Sequence, residues 1–162
     1  MSWTKVSNNL KTSNIKVLVV DDEPLLRDFM SRFLAKEGFQ VDTAEDGLDA
    51  CKKINANKYQ LIVSDIRMPK MDGKELLDFV AKNHSDVPII MMTGFSDLSL
   101  ADALSKGAKC VLTKPFKGDQ LSEALSIALF SQKDRWTINK EMIGDEIELK
   151  FDSLEQAEQD YQ

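Results

Sequence analysis

At 162 residues the chain falls within the ~100–200 residues of one domain and leaves room for a small appendage. Its 43% hydrophobic and 30% charged residues, with seven Gly and four Pro, exclude collagen-like, mucin-like and wholly disordered chains. With 21 Lys and Arg against 27 Asp and Glu the net charge is −6, so no basic field draws in nucleic acid or anionic lipid, and direct nucleic-acid binding is not expected.

Residues 1–14 are polar and lack the apolar core of a signal peptide. No apolar run approaches the ~20 residues that span a bilayer, so no membrane association is expected. The two cysteines, Cys51 and Cys110, have neither CxxC nor Cys/His spacing, which disfavours a zinc site or disulfide framework and fits a reducing cytoplasm. A cytoplasmic protein is the expectation.

Ile15 to Val20 (IKVLVV) is a continuous β-branched run, the pattern of a strand buried on both faces. It breaks off at Asp21, Asp22 and Glu23. Pro24 suits a first helical turn, and Leu25, Leu26, Phe29, Phe33 and Leu34 recur at helical spacing until Gly38, a helix-ending glycine. Phe39 to Thr43 alternates, as in a half-exposed edge strand, and Asp46 caps a helix carrying Leu48, Cys51 and Ile54. Leu61 to Val63 is a third strand, ending at Ser64 and Asp65. Asp72 and Glu75 then form a D-x-x-E cap before Leu76, Leu77, Phe79 and Val80. Pro88 to Met92 is a fourth strand, ending at Thr93 and Gly94, and a helix from about Asp97 to Lys106 follows. Lys109 to Thr113 is a fifth strand, ending at Lys114 and Pro115, and an apolar helix runs on through Leu121, Leu125, Ala128 and Leu129.

Five strands alternating with five helices over such short connections predict a parallel α/β sheet covered on both faces. Ligands of open parallel sheets bind outside the carboxyl ends of the strands, where Asp21, Asp22, Asp65, Thr93 and Lys114 all fall. Gathered carboxylates repel one another, and a hard divalent cation such as Mg²⁺, which takes oxygen ligands and shares them with phosphate, relieves that repulsion. Lys114 adds a compact cation for phosphate oxygens and Thr93 a hydroxyl. With neither GxxxxGK[ST] nor GxGxxG in the chain, the pattern points to a carboxylate that itself accepts a phosphoryl group.

Four ordered motifs, Asp21-Asp22, DIRMPKMDG from Asp65 to Gly73, Thr93-Gly94 and Lys114-Pro115-Phe116, resemble the receiver domain of two-component response regulators. The resemblance covers residues 15–131. It implies a flavodoxin-like doubly wound sheet of order 2-1-3-4-5 with five helices. It divides the chain into a polar N-terminal extension (1–14), the receiver (15–131) and a short acidic C-terminal extension (132–162). It also implies that Asp65 accepts phosphate from a sensor histidine kinase or a histidine phosphotransfer protein. Asp22, Asp65 and the Arg67 carbonyl would hold Mg²⁺, with Asp21 acting mostly through water. Lys114 would pair with the phosphoryl oxygens ahead of a cis Lys114–Pro115 bond, Thr93 would move toward the phosphate, and Arg67 and Phe95 would flank the path of attacking water.

Val111 departs from the family pattern, which places Tyr or Phe three residues before the lysine; a valine has little rotamer range with which to report on Thr93. The signal is expected instead to pass through Gly94, Phe95 and Ser96 into the next helix, exposing Leu98 or Leu100. His84, the only histidine, reads as a surface residue. Met68, Met71, Met91 and Met92 read as packing, and the cysteines as small hydrophobes.

Residues 132–162 carry four basic and nine acidic side chains, too few residues and too acidic for a DNA-binding output domain. Output through an unidentified protein partner is expected. Within this tail Ile147, Leu149 and Phe151 alternate like a short strand, and Asp152 and Glu155 form another cap before Leu154, Ala157 and Tyr161. A solvated tail competes with one in which Trp136 and Ile138 pack on the receiver or on a twin subunit, giving a homodimer. The functional alternatives are an aspartyl-phosphate phosphohydrolase on a similar sheet, disfavoured because such enzymes usually show D-x-D after the first strand, and an adaptor that is never phosphorylated.

Overall fold

A computed structural model describes residues 14–94 and 100–129; the tail from residue 130, the N-terminal extension up to residue 13, and the segment 95–99 with Phe95, Ser96 and Leu98 lie outside the described residues. The side chain of Leu100 lies outside them too. In chain order the elements are β1 (Lys16–Val20), α1 (Pro24–Lys36), β2 (Gln40–Ala44), α2 (Gly47–Ala56), β3 (Leu61–Asp65), α3 (Gly73–Asn83), β4 (Ile89–Thr93), α4 (Leu100–Ser105), β5 (Cys110–Thr113) and α5 (Gly118–Leu129). All strands are parallel in the order β2-β1-β3-β4-β5, the flavodoxin-like doubly wound arrangement.

Local sequence explains the boundaries. Asp46 Oδ1 accepts from Asp49 N at 2.8 Å and Asp72 Oδ1 from Glu75 N at 2.9 Å, so both aspartates cap their helices as their spacing predicts. Gly38, at φ 97°, ends α1 with Gly38 N donating to Ala35 O and Phe39 N to Leu34 O, a left-handed closure that a Cβ would strain.

The central strands are buried on both faces, as their unbroken apolar runs require. Leu18, Val20, Ile62, Ile89 and Met91 share one core with Ala50 and Ile54 of α2 and Leu76, Leu77 and Val80 of α3. The alternate strand residues Val17, Val19, Leu61, Val63, Ile90 and Met92 are buried as well and face the other way. Gly118 of α5 lies against the Phe33 ring of α1.

Three expectations are corrected. The apolar stripe of α1 is narrower than its sequence pattern: Met30 and Leu34, one turn apart, are buried, whereas Leu25 is 87% and Phe29 44% exposed. On α2 the buried face is Gly47, Ala50 and Ile54, which rotates Leu48 outward to 46% exposure. Described helix α4 starts at Leu100, and the expected start near Asp97 falls outside the described residues. Strands β3 and β4 run through Asp65 and Thr93, because ladder pairing continues to those residues and does not stop before them.

Candidate functional site

Register assembles the site. Val20 pairs with Ser64, so the next residues, Asp21 and Asp65, emerge side by side. Asp65 pairs with Met92, which sets Thr93 one step further along β4, and Thr93 pairs with Thr113, which places Lys114 just beyond β5. Four segments distant in sequence therefore end at one rim of the sheet.

At that rim the carboxyl oxygens of Asp21, Asp22 and Asp65 lie within 4.8 Å of one another. Asp21 and Asp65 are buried and Asp22 is exposed, so the cup is open on the Asp22 side. Lys114 Nζ reaches in to 3.0 Å from Asp65 Oδ2 and 3.2 Å from Asp21 Oδ2. Burial raises the Asp21 carboxyl above its ordinary value, against the hydrogen bond from Glu23 N and the charge of Lys114. Burial likewise raises Asp65, with the Lys114 hydrogen bond opposing it and the Asp21 charge adding to it. At Lys114 burial pulls the ammonium down, but the Asp65 hydrogen bond and the Asp21 charge outweigh it and the net shift is upward.

Backbone contacts hold the groups in place. Glu23 N donates to Asp21 Oδ1 at 2.8 Å, and Ile66 N donates to Asp65 Oδ1 at 2.8 Å. Lys114 N donates to Thr93 O at 2.8 Å, tying the ends of β4 and β5 together, and the Lys114–Pro115 peptide is cis, as the resemblance implies. Thr93 is buried and its hydroxyl donates to Gly94 O at 2.7 Å, so its one proton is committed to its own loop. Arg67 has an exposed side chain and lies in the segment leading away from Asp65.

Three residues escaped the sequence reading. Arg27 Nη1 donates to Asp21 O at 2.7 Å and braces the β1–α1 turn; a cation one helical turn after Pro24 was the available signal. Gly73 enters the sequence reading only as the last residue of the DIRMPKMDG motif, yet a Cβ there would stand 2.1 Å from Asp65 O, and its N–H donates to Ile66 O at 2.7 Å. Lys70, at φ 67°, lies 3.6 Å from Asp46 Oδ2. Away from the cup, His84 ends α3 half-buried against the Phe79 ring. Met91 and Met92 are core residues, and Cys51 and Cys110 are half-buried thiols that burial pushes up.

Three carboxylates against one ammonium leave a net charge of minus two when ionised, and all the donors are hard oxygens. That donor set fits a Mg²⁺-sized divalent cation. Among the described residues no helix is long and apolar enough to cross a membrane.

A family model described as the response regulator receiver domain matches residues 17–126. The chain is 35% identical over 116 residues to the chemotaxis protein CheY of Listeria monocytogenes, covering 70% of this chain and 98% of CheY. It is 34% identical over 146 residues to the transcriptional regulatory protein GlrR of Escherichia coli, covering 87% of this chain and spanning 32% of that regulator's length. Among solved structures, the response regulator TrrA of Thermotoga maritima, crystallised in complex with Mg(2+)-BeF, superposes with a TM-score of 0.64 at 37% identity, covering 69% of this chain and 96% of TrrA. The ordered strand-end motifs, the 2-1-3-4-5 sheet and these matches agree, and the chain belongs to the response regulator receiver domain family of two-component signal transduction.

Proposed function

We propose that Asp65 is the phosphoryl acceptor, that Asp22, Asp65 and the Arg67 carbonyl bind Mg²⁺ with Asp21 as an outer partner, and that the phosphorylated chain signals by binding another protein. The donor is a phosphohistidine of a sensor histidine kinase or a histidine phosphotransfer protein, which fits an acidic cup open on the Asp22 side. The observation that carries the reading is Lys114 Nζ seated between the buried carboxylates of Asp65 and Asp21.

Held by Asp22, Asp65 and the Arg67 carbonyl, a Mg²⁺ would supply neutralising charge for the phosphoryl oxygens. The chain's own residues do the rest. Asp65 must be ionised to attack, and the Lys114 hydrogen bond favours that ionised form against the cost of burial. An Asp65 oxygen forms the new bond to phosphorus as the bond from phosphorus to the donor's imidazole nitrogen breaks, and the imidazole leaves with a proton. The added phosphoryl charge needs donors. Lys114 is already in place, and Thr93 can donate only by releasing Gly94 O, so phosphorylation and the state of the β4–α4 loop are coupled through one hydroxyl proton. TrrA's crystallisation with Mg(2+)-BeF supports the Mg²⁺ assignment by kinship.

The test is mass spectrometry after incubation with acetyl phosphate, with and without Mg²⁺. A single base-labile phosphoryl adduct on Asp65, dependent on Mg²⁺ and lost in Asp65→Asn, is the expected result. Adduct at another residue, or repeated turnover of phosphate esters, overturns it. Partner binding that ignores Asp65→Asn would assign the chain to the adaptor class instead.

A further inference from the structure

The segment between Asp65 and α3 is fixed at its ends by Ile66 N donating to Met92 O at 3.1 Å and by Gly73 N donating to Ile66 O at 2.7 Å. Its middle leans on the start of α2. Gly47 N donates to Met71 O at 3.1 Å, the Cys51 thiol lies 3.5 Å from Met71 Sδ, and the Lys70 ammonium is 3.6 Å from Asp46 Oδ2. Lys70 holds φ 67°, a region that residues bearing a Cβ enter at a cost, so neighbouring contacts must hold it there. Asp46 is buried and acts twice, capping α2 with one oxygen and facing Lys70 with the other. Gly47 is dictated by closeness, since a Cβ would stand 2.5 Å from Met71 O and 2.7 Å from Met71 Cγ.

We infer that Asp46, Gly47 and Lys70 are positioning residues that clamp the Ile66–Asp72 segment, so that the start of α2 sets the cation affinity of the cup. The inference rests on the Mg²⁺ reading above and extends it to residues outside the strand-end motifs. The clamped segment carries Arg67, and at Gly73 it closes against the backbone of Asp65 itself. Mg²⁺ demands near-octahedral placement of its oxygens, so a segment released by a few tenths of an ångström loses affinity without loss of any ligand.

The experiment is calorimetric titration of Mg²⁺ into the full chain, paired with acetyl phosphate labelling across Mg²⁺ concentrations. Gly47→Ala is expected to weaken Mg²⁺ binding about tenfold and to raise the half-maximal Mg²⁺ concentration for labelling by the same factor. Its labelling rate at saturating Mg²⁺ should stay within about twofold of the unaltered chain, the split that separates cation placement from chemistry. Lys70→Ala, on an exposed side chain, should weaken binding about threefold, and Lys70→Arg should restore it. Ile54→Val trims the core face of the same helix and should leave the affinity unchanged.

Unchanged affinity in both Gly47→Ala and Lys70→Ala overturns the clamp. An equal loss in Ile54→Val and Gly47→Ala overturns it too, because helix destabilisation alone would then account for the effect. Should Gly47→Ala fail to fold, the Lys70→Ala and Lys70→Arg pair decides. If the unaltered chain binds no Mg²⁺, the cation reading itself falls and the clamp falls with it, a result distinct from normal binding that ignores the clamp variants.

Discussion

Lys114 Nζ lies 3.0 Å from Asp65 Oδ2, and this ammonium also reaches the second buried carboxylate, Asp21, at 3.2 Å. One cation therefore partners two buried anions. Lys114→Met would leave both without it, and their carboxyls, already raised by burial, would rise further. The variant is expected to lose about 2 kcal/mol at neutral pH, because removing one member of a buried ion cluster exposes the desolvation cost of the others. Urea unfolding should show that deficit shrinking in acid, where the carboxylates take up protons. A deficit independent of pH would remove charge as its cause.

Asp21→Asn should act in the opposite direction. It removes one of two adjacent buried charges whose ionised forms the fold penalises, while Asp65 still partners Lys114. Metal-free stability is expected to rise by about 1 kcal/mol, the usual scale of a stabilising substitution, as Mg²⁺ affinity falls. The cup holds charge at the expense of stability, so unchanged or lower stability in urea without metal would contradict that account.

The strand-end aspartates and the lysine could be read from the chain because each interrupts an apolar run, and parallel pairing then carries all such interruptions to one rim. Caps were legible for the same local reason, with Asp46 and Asp72 three residues before the N–H groups they accept from. The supports were not. Arg27 meets a backbone carbonyl, Gly73 is dictated by a close approach to Asp65 O, and Lys70 finds Asp46 across a turn, contacts that exist only once the loops close. Periodicity also overestimated the buried face of α1, since Leu25 and Phe29 keep helical spacing yet face solvent.

The pH dependence of cation binding follows from burial. A Mg²⁺ held as proposed would need the ionised carboxylates, and both Asp21 and Asp65 hold their protons to higher pH than the ordinary 3.8. Affinity should therefore begin to fall, as the medium is acidified, while the pH is still above 3.8. The stability contribution of these two groups has the reverse sign. Their raised folded values favour the neutral form, so what they contribute is present below 3.8 and is lost as the pH rises through those values. Lys114, raised in the fold, contributes stability below 10.5 that is lost as the pH climbs through its own raised value. Calorimetric titrations from about pH 4 to pH 7 check the first claim, and an affinity flat across that range would refute it.

Val111 occupies β5 opposite Met91 and packs half-buried against the core. A β-branched side chain is restricted about χ1 and carries no ring, so it has little range with which to follow Thr93. Val111→Ala should cost about 1 kcal/mol in stability by losing core methyls, and phosphorylation-dependent partner binding should persist. Abolished coupling in a variant that still folds and labels would place the relay at Val111 after all.

Gly73→Ala tests how tightly the strand ending in Asp65 is built. The added Cβ would stand 2.1 Å from Asp65 O and 2.7 Å from Ile66 Cα, and both neighbours are backbone, so no side-chain rotation relieves the clash. The end of β3 or the start of α3 must move, and each holds a fixed contact: Ile66 N with Asp65 Oδ1, and Asp72 Oδ1 with Glu75 N. The expected cost is about 3 kcal/mol, the upper range for overpacking a close site. Because the displaced atoms belong to Asp65 itself, acetyl phosphate labelling should fall even in the fraction that remains folded. Labelling per folded molecule equal to that of the unaltered chain, measured alongside circular dichroism, would show that the close approach serves packing alone.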